Sequence, residues 1–138
     1  MDDRLPVLVV DDDPDIRETL RDVIEAEGFA VVCAANGRAA LEALDMGLRP
    51  SLIVLDLMMP TMSGWELLAA IRADRVFADL PVAVISAAGG APPPGATCFL
   101  RKPIDLDTLI GLIRDPRGRV LRRLERQSSA SDHPTVTA

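Results

Sequence analysis

The sequence predicts a doubly wound α/β fold around a parallel sheet of five strands. Two observations predict it. Short apolar runs rich in Val, Ile and Leu recur along the 138 residues without polar alternation, which is typical of strands buried on both faces of a parallel sheet. Between these runs apolar residues recur at helical spacing, and strands that alternate with helices indicate βαβ units.

Five segments are predicted as strands. Four are residues 5–10, 29–34, 51–55 and 81–85, and the fifth runs from Cys98 to the charged residues before Pro103. Right-handed crossovers leave few possible arrangements of such strands. We expect the flavodoxin-like order 2-1-3-4-5.

Helices are predicted after the first, second, third and fifth strands. The first begins at Asp13-Pro14 and ends at Gly28, since Asp is a favoured N-cap, Pro suits the first helical position and Gly favours the end. The others are residues 37–46, residues 65–73 and a last helix from Asp105, with Leu106, Leu109, Ile110 and Ile113 on its inner face.

No regular helix is expected between Ser86 and Lys102. This connection contains three prolines and three glycines, which disfavour a helix interior. A parallel crossover needs about a dozen residues, helix included. We therefore expect the fourth helix of this fold to be missing or reduced to a turn.

Polar residues follow the ends of four predicted strands. Asp11 and Asp12 follow the first strand, Asp56 the third, Ser86 the fourth and Lys102 the fifth. In open α/β sheets the ligand site lies beyond the carboxyl ends of the strands. We therefore expect these side chains to meet at one end of the sheet.

Lys102 is the only lysine among 15 basic residues. Its ammonium is a compact point charge suited to a phosphate oxygen, whereas arginine presents a planar fork. Compositional drift in an Arg-rich chain is the alternative explanation for a single lysine. Because polar residues at four strand ends converge, we favour a functional role for Lys102.

Composition favours one soluble domain. Hydrophobic residues make up 49% of the chain, and the net charge of −6 argues against general nucleic-acid binding. Cys33 and Cys98 match no metal-site spacing and are expected to be reduced core residues. Neither a signal-peptide pattern nor an apolar stretch of membrane-spanning length occurs, so we expect a cytoplasmic protein with no membrane partner.

The residues at the strand ends resemble those of the receiver (chemotaxis-regulator-like) domains of two-component response regulators. The motifs are Val-Leu-Val-Val-Asp-Asp-Asp-Pro-Asp from Val7, Leu-Asp-Leu-Met-Met-Pro-Thr-Met-Ser-Gly from Leu55, and Arg-Lys-Pro from Arg101. The resemblance covers roughly residues 5–115. One motif alone is weak, but five matching positions in this order are specific.

The resemblance implies a Mg²⁺-dependent phosphoacceptor. Asp56 would take the phosphoryl group, while Asp12, Asp56 and the Met58 backbone carbonyl would ligate Mg²⁺ and Asp11 would act mainly through bound water. Lys102 would neutralise charge on the phosphoryl oxygens. The chemistry agrees, because carboxylates brought together repel each other unless a cation lies among them, and all-oxygen ligands suit Mg²⁺.

The resemblance also implies a switch. Ser86 stands where relatives have a hydroxyl that bonds the phosphoryl group, and Phe99 matches an aromatic switch position. Phe lacks a hydroxyl, so its switching would depend on packing alone; an ordinary strand aromatic is the alternative. Met58 and Ala88 cannot orient a water, which predicts slow loss of the phosphoryl group. A cis peptide is expected before Pro103.

We expect a receiver domain over residues 1–115, a basic short helix or linker over 116–126 and a disordered tail over 127–138. With no output domain recognised, the expectation is a stand-alone response regulator. A sensor histidine kinase or phosphotransfer protein would phosphorylate it, and it would signal to an unknown protein target without binding DNA. It would assist its own phosphorylation and dephosphorylation without being an enzyme in the usual sense.

Two other functions remain open on the sequence. A degenerate receiver that is never phosphorylated would act as a binding or dimerisation module, which a missing fourth helix allows. A phosphatase with an aspartate nucleophile would share the Asp and Mg²⁺ chemistry. Such enzymes usually carry a second Asp two residues after the nucleophile, where this chain has Met58.

Overall fold

The computed structural model describes residues 5–87 and 91–117. Five strands and four helices follow one another within these residues. They are β1 (Val7–Val10), α1 (Pro14–Ala26), β2 (Val31–Ala34), α2 (Gly37–Asp45), β3 (Leu52–Asp56), α3 (Gly64–Ala73), β4 (Val82–Ser86), β5 (Cys98–Arg101) and α4 (Leu106–Arg114).

The strands form one parallel sheet in the order β2-β1-β3-β4-β5. The predicted fold and strand order are therefore confirmed. The residues of β1, β3 and β4 are all buried. Both faces of these strands are covered, which is the physical reason for their continuous apolar sequences.

Alternate residues of the strands enter two hydrophobic clusters, one on each face of the sheet. Val7 and Val9 of β1 belong to the first cluster, together with buried residues of α1 and α4. Leu8 and Val10 belong to the second, with buried residues of α2 and α3. The sheet is thus the middle of three layers.

Side-chain caps define where all four described helices begin. At α2 the Asn36 side chain accepts a hydrogen bond from the Ala39 N–H. Asp13 and Asp105 accept hydrogen bonds from backbone N–H groups in the first turns of α1 and α4. Ser63 and Glu66 form a reciprocal capping box at α3, which satisfies two backbone donors that a helix start leaves free. Because Ser63 is the N-cap, α3 begins at Gly64, one residue before the predicted start.

Leu106 departs from the prediction. It was expected on the inner face of the last helix, but it is 39% exposed, whereas Leu109, Ile110 and Ile113 are buried. Leu106 is the first residue of α4 and lines a surface groove. Helical spacing alone does not show which residue of the first turn is left uncovered.

The connection between β4 and β5 contains no helix in its described residues, Ala87 and 91–97. This agrees with the predicted absence or reduction of the fourth helix. A turn at Pro94 and Gly95 is present instead, and Gly95 has a φ of 93°. Left-handed backbone of this kind favours glycine, because it has no Cβ to clash.

Both cysteines are half-buried. Cys33 lies on β2 and Cys98 on β5, the two outer strands, and each packs against the first cluster. They are therefore partly covered residues at the sides of the core rather than fully buried ones, because an outer strand has only one neighbour.

No helix among residues 5–87 and 91–117 is long and apolar enough to cross a membrane. Ala88 and most of the predicted C-terminal segments, from Gly118 to Ala138, lie outside the described residues.

Candidate functional site

Four of the predicted site residues meet at the carboxyl end of the sheet. Asp11 and Asp12 directly follow β1, Asp56 is the last residue of β3, and Lys102 directly follows β5. The parallel direction of the strands brings these positions together. We call the three carboxylates and the Lys102 ammonium the acidic site.

The carboxylates are close enough to share one cation. One oxygen from each of Asp11, Asp12 and Asp56 lies within 4.8 Å of the other two. Asp11 and Asp56 are 2% and 4% exposed, whereas Asp12 is exposed. Two of the three negative charges are therefore largely removed from water.

Lys102 supplies the positive charge of the acidic site. Its Nζ lies 3.6 Å from Asp11 Oδ2 and 3.8 Å from Asp56 Oδ2, and its side chain is 23% exposed. The ammonium thus contacts the two buried carboxylates together. One positive charge leaves the three carboxylates under-neutralised.

Backbone donors hold the two buried carboxylates. The Asp13 N–H donates to Asp11 Oδ1 over 2.9 Å, and the Met58 N–H donates to Asp56 Oδ1 over 3.3 Å. In each carboxylate Oδ1 accepts from the backbone and Oδ2 faces Lys102. Both carboxylates are therefore oriented before any ligand binds.

Burial raises the pKa of both Asp11 and Asp56 above the ordinary value. For Asp56 the neighbouring Asp11 charge raises the pKa further, and Lys102 lowers it by a smaller effect. For Asp11 the Asp13 N–H and Lys102 oppose the effect of burial. The direction is the one expected when desolvation outweighs the pairing with a single ammonium.

The residues present fit a hard divalent cation. The donor set is oxygen, its members lie within 4.8 Å of one another, and the excess negative charge calls for a second positive centre. Mg²⁺ prefers one or two carboxylates and keeps other positions for water or phosphate. No Cys or His belongs to this cluster, which makes zinc a poor fit.

Gly64 lets the helix after β3 start directly against the strand. Its N–H donates to the Leu57 carbonyl over 3.0 Å. A Cβ at Gly64 would lie 2.6 Å from both the Asp56 carbonyl oxygen and the Leu57 Cα, closer than packing allows. The position of Asp56 therefore depends on a glycine eight residues away along the chain.

The loop between β3 and α3 contains one residue in a rare backbone conformation. Thr61 has a φ of 71°, and the Met62 N–H donates to the Pro60 carbonyl over 2.8 Å across it. Such a tight three-residue turn is strained for a residue other than glycine. The Met62 side chain packs against Gly37 at the start of α2, which ties the loop to the second cluster.

Ser86 and Phe99 lie on β4 and β5. Ser86 is the buried last residue of β4, and its carbonyl accepts a hydrogen bond from the Lys102 N–H over 3.0 Å. Phe99 is half-buried and packs against the second cluster.

The Lys102–Pro103 peptide is cis, as the resemblance implied. The side chain of Met58 is exposed.

Sequence reasoning missed Arg17. Its Nη1 donates to the Asp11 carbonyl oxygen over 2.7 Å, so an α1 side chain reaches the backbone of the acidic site. The only signal available was an arginine one turn into the helix that follows the acidic residues. Many helices carry such a residue without any contact of this kind.

Sequence reasoning also missed a mainly apolar groove of about 390 Å³ beside Lys102. It lies between α1 and the segment that joins β5 to α4. Its walls are Asp15, Ile16, Thr19, Leu20, Lys102, Pro103, Ile104 and Leu106.

Comparison with known sequences agrees with this architecture. The profile of the response regulator receiver domain matches residues 7–114. The chain is 32% identical over 136 residues to the DNA-binding dual master transcriptional regulator RpaA of Synechocystis, which covers 94% of this chain but 54% of that protein. The chain thus spans about half the length of that regulator. It is 38% identical over 117 residues to a 14.6 kDa protein of Leptolyngbya boryana, covering 80% of this chain and 88% of that protein.

Solved structures share the fold. The response regulator TrrA of Thermotoga maritima, crystallised in complex with Mg²⁺-BeF, is 29% identical, with a TM-score of 0.73. The match covers 81% of this chain and 98% of that one. Since the family profile also extends from the first residue of β1 to the last residue of α4, this chain belongs to the response regulator receiver domain family.

Proposed function

We propose that this chain is a stand-alone receiver that accepts a phosphoryl group on Asp56 from the phosphohistidine of a sensor histidine kinase or phosphotransfer protein. One observation carries the proposal. The Lys102 ammonium lies between Asp11 and Asp56, 3.6 and 3.8 Å from their Oδ2 atoms, beside a third carboxylate. A nucleophile, a cation for the incoming oxygens and a metal-binding oxygen set then occupy one end of the sheet.

Mg²⁺ would be held by Asp12, Asp56 and the Met58 backbone carbonyl, with Asp11 acting mainly through water. When bound, it would neutralise charge on the phosphoryl group during transfer. Asp12 is the exposed member of the set and would meet the cation from the solvent side. Asp11 and Asp56, held by backbone donors, would need little reorganisation.

An Asp56 carboxylate oxygen would attack the phosphorus of the phosphohistidine. A phosphorus–oxygen bond forms while the phosphorus–nitrogen bond breaks, and the imidazole nitrogen of the partner keeps the electron pair and takes a proton from solvent. Lys102 would lie against the phosphoryl oxygens and stabilise the charge that spreads over them. The product is an acyl phosphate on Asp56.

Ser86 and Phe99 would change conformation when Asp56 is phosphorylated. The Ser86 hydroxyl would bond the phosphoryl group, and Phe99 would repack toward the second cluster, where it is already partly inserted. Its ring has no hydroxyl to exchange for a polar contact, so packing alone would drive the change. The exposed, apolar Met58 side chain cannot orient a water for hydrolysis. We therefore expect a long-lived acyl phosphate.

Output would pass through protein contacts in the cytoplasm, without direct DNA binding or membrane attachment. The Leptolyngbya relative, of which the match covers 88%, supports a receiver without an output domain, whereas RpaA is named as DNA-binding. The chain would act as a phosphoacceptor that assists its own phosphorylation and dephosphorylation rather than as a turnover enzyme.

The test is incubation with Mg²⁺ and acetyl phosphate, followed by intact-mass measurement. We expect the mass of one phosphoryl group to be added to the wild type and to Asp22→Asn, but not to Asp56→Asn. Asp22 is an exposed α1 carboxylate, so this control removes the same charge elsewhere. If Mg²⁺ binds and no mass is added, the degenerate binding-module alternative replaces the proposal. Catalytic turnover of phosphate esters would instead favour the phosphatase.

A further inference from the structure

We propose that Arg17 is a positioning residue for the metal site, because it fixes the peptide that joins Asp11 to Asp12. The inference rests on the proposed function in one respect: it takes the acidic site as the place where Mg²⁺ binds. Arg17 lies on α1, and within the described residues no hydrogen bond or ion pair joins its side chain to the carboxylates of the acidic site. Its Nη1 donates a hydrogen bond to the Asp11 carbonyl oxygen over 2.7 Å.

The backbone N–H, the backbone carbonyl and both carboxylate oxygens of Asp11 each have a polar partner. Its N–H donates to the Ala34 carbonyl over 3.2 Å, its Oδ1 accepts from the Asp13 N–H, and its Oδ2 faces Lys102. The Arg17 contact fixes its carbonyl oxygen. The Asp13 N–H contact closes a turn around the peptide that leads to Asp12, and the Arg17 contact bonds that peptide's carbonyl oxygen directly.

Asp12 depends on that peptide for its direction. Within the described residues, no hydrogen bond or ion pair reaches its carboxylate, which is exposed. A peptide unit is planar, so the direction of the Asp11 carbonyl also sets the direction of the Asp12 N–Cα bond. A rotated peptide would carry the Asp12 carboxylate away from the position within 4.8 Å of the other two.

Arginine is suited to this role. It remains charged at all ordinary pH values, and its guanidinium places rigid donors at the end of a long side chain. A charged donor at 2.7 Å makes a stronger hydrogen bond than a neutral one. A lysine at the same position would keep the charge but lose the planar donor geometry.

A purely electrostatic role for Arg17 predicts the opposite result from a positioning role. Removing a positive charge near an acidic site tightens the binding of a cation to that site. Removing a contact that orients a ligand weakens it, because the ligand must then be ordered when the cation binds. The sign of the change in Mg²⁺ affinity therefore separates the two roles.

The experiment compares Arg17→Gln with Arg21→Gln by calorimetric titration with Mg²⁺. Arg21 is exposed one turn further along α1, so both variants lose the same charge from the same helix. Loss of a residue that orients a metal ligand typically weakens metal binding by 10–100-fold, and we expect about tenfold for Arg17→Gln. Arg21→Gln should bind Mg²⁺ as tightly as the wild type or slightly more tightly.

A second readout needs no metal. In ¹⁵N-labelled, metal-free protein the Asp12 and Asp13 amide signals should shift in Arg17→Gln and not in Arg21→Gln, while the remaining signals report an intact fold. Arg17→Lys should show an intermediate Mg²⁺ affinity. Unchanged amide signals, or undiminished Mg²⁺ affinity in Arg17→Gln, would overturn the positioning role of Arg17 and leave the proposed function untouched.

The wild type separates the inference from the proposed function. If it binds Mg²⁺ but is not phosphorylated by acetyl phosphate, the proposed function is wrong, and the Arg17 variants still decide the positioning role. If it does not bind Mg²⁺ at all, both are wrong.

Discussion

The backbone N–H of Lys102 donates to the carbonyl oxygen of Ser86 over 3.0 Å, which joins the ends of β5 and β4. This hydrogen bond extends the sheet by one residue beyond β5, so the main chain of Lys102 has a fixed position. Only its flexible side chain then has to span the distance to Asp11 and Asp56. The main chain of Lys102 is therefore fixed, while its side chain can change conformation when a ligand binds.

Replacing Lys102 with Met should leave the fold intact and slow phosphorylation. Met keeps much of the aliphatic stem but removes the ammonium that lies 3.8 Å from Asp56 Oδ2. Loss of one donor that stabilises transition-state charge costs roughly 100-fold in rate. The measurement is a time course of intact mass with acetyl phosphate and Mg²⁺. Arg101→Met, at an exposed neighbouring position, is the control; an equal loss there would refute a specific role for Lys102.

Asp56→Asn should stabilise the metal-free protein at neutral pH. Because burial raises the pKa of Asp56, the folded protein keeps its proton to higher pH than the unfolded chain. Wild-type stability then falls as the pH rises from below the ordinary value of 3.8 through the raised pKa, and levels off above it. At 4.8 Å, one like-charge repulsion in a water-like dielectric is worth about 1 kcal/mol.

The measurement is thermal unfolding with a chelator present, from pH 3 to 8. The gain of Asp56→Asn over the wild type should be small at the acidic limit and full at neutral pH, while Asp22→Asn should show none. Excess Mg²⁺ should reduce the difference, because a ligand stabilises the folded state that binds it. A gain that is constant across the whole range would show that Asp56 titrates normally.

Gly64→Ala and Gly111→Ala should change stability in opposite directions. The new Cβ at Gly64 would collide with the Asp56 carbonyl and Leu57, which should destabilise the protein by about 2 kcal/mol and weaken Mg²⁺ binding. Nothing lies within 4 Å of a Cβ at Gly111 in α4, where alanine should add about 1 kcal/mol through helix propensity. Urea unfolding measures both; equal effects would contradict the close approach at Gly64.

The sheet and the acidic site were predictable because both depend on local sequence. A continuous apolar run predicts a buried strand, and the polar residue that ends the run falls at the end of the sheet. Asp56 and Lys102, 46 residues apart, meet for that reason alone. The β4–β5 connection was predictable as well, since Pro and Gly act on the backbone locally.

Arg17 and Leu106 were not predictable in the same way. The role of Arg17 depends on how far one side chain reaches toward one carbonyl, and helical spacing does not contain that distance. The exposure of Leu106 depends on which neighbouring elements cover the first turn of α4, where it lines a groove. The Arg17 contact and the exposure of Leu106 both depend on how helices and sheet pack together, which no single segment of the sequence determines.

Arg72, near the end of α3, hydrogen-bonds to the connection between β4 and β5. Its Nε donates to the Gly95 carbonyl over 2.8 Å, and its Nη1 donates to the Ala78 and Leu80 carbonyls over 2.9 and 2.7 Å. One guanidinium thus links the end of α3, the segment before β4 and the turn before β5. Arg72 therefore supplies a donor to backbone carbonyls on both sides of β4.

Arg72→Met should therefore destabilise the protein and loosen the connection selectively. The three carbonyl oxygens, and the Thr97 hydroxyl to which Arg72 Nη2 donates over 3.5 Å, would have to be satisfied by water. We expect a loss of about 2 kcal/mol, or roughly 8 °C in Tm. Arg75→Met, at an exposed position just beyond α3, should change the Tm little. Hydrogen exchange locates the effect: the Thr97 amide, which donates to the Val82 carbonyl, should exchange faster in Arg72→Met, whereas the β1 amides should change only with global stability. Uniform acceleration across the sheet would mean that Arg72 supports the whole fold rather than this connection.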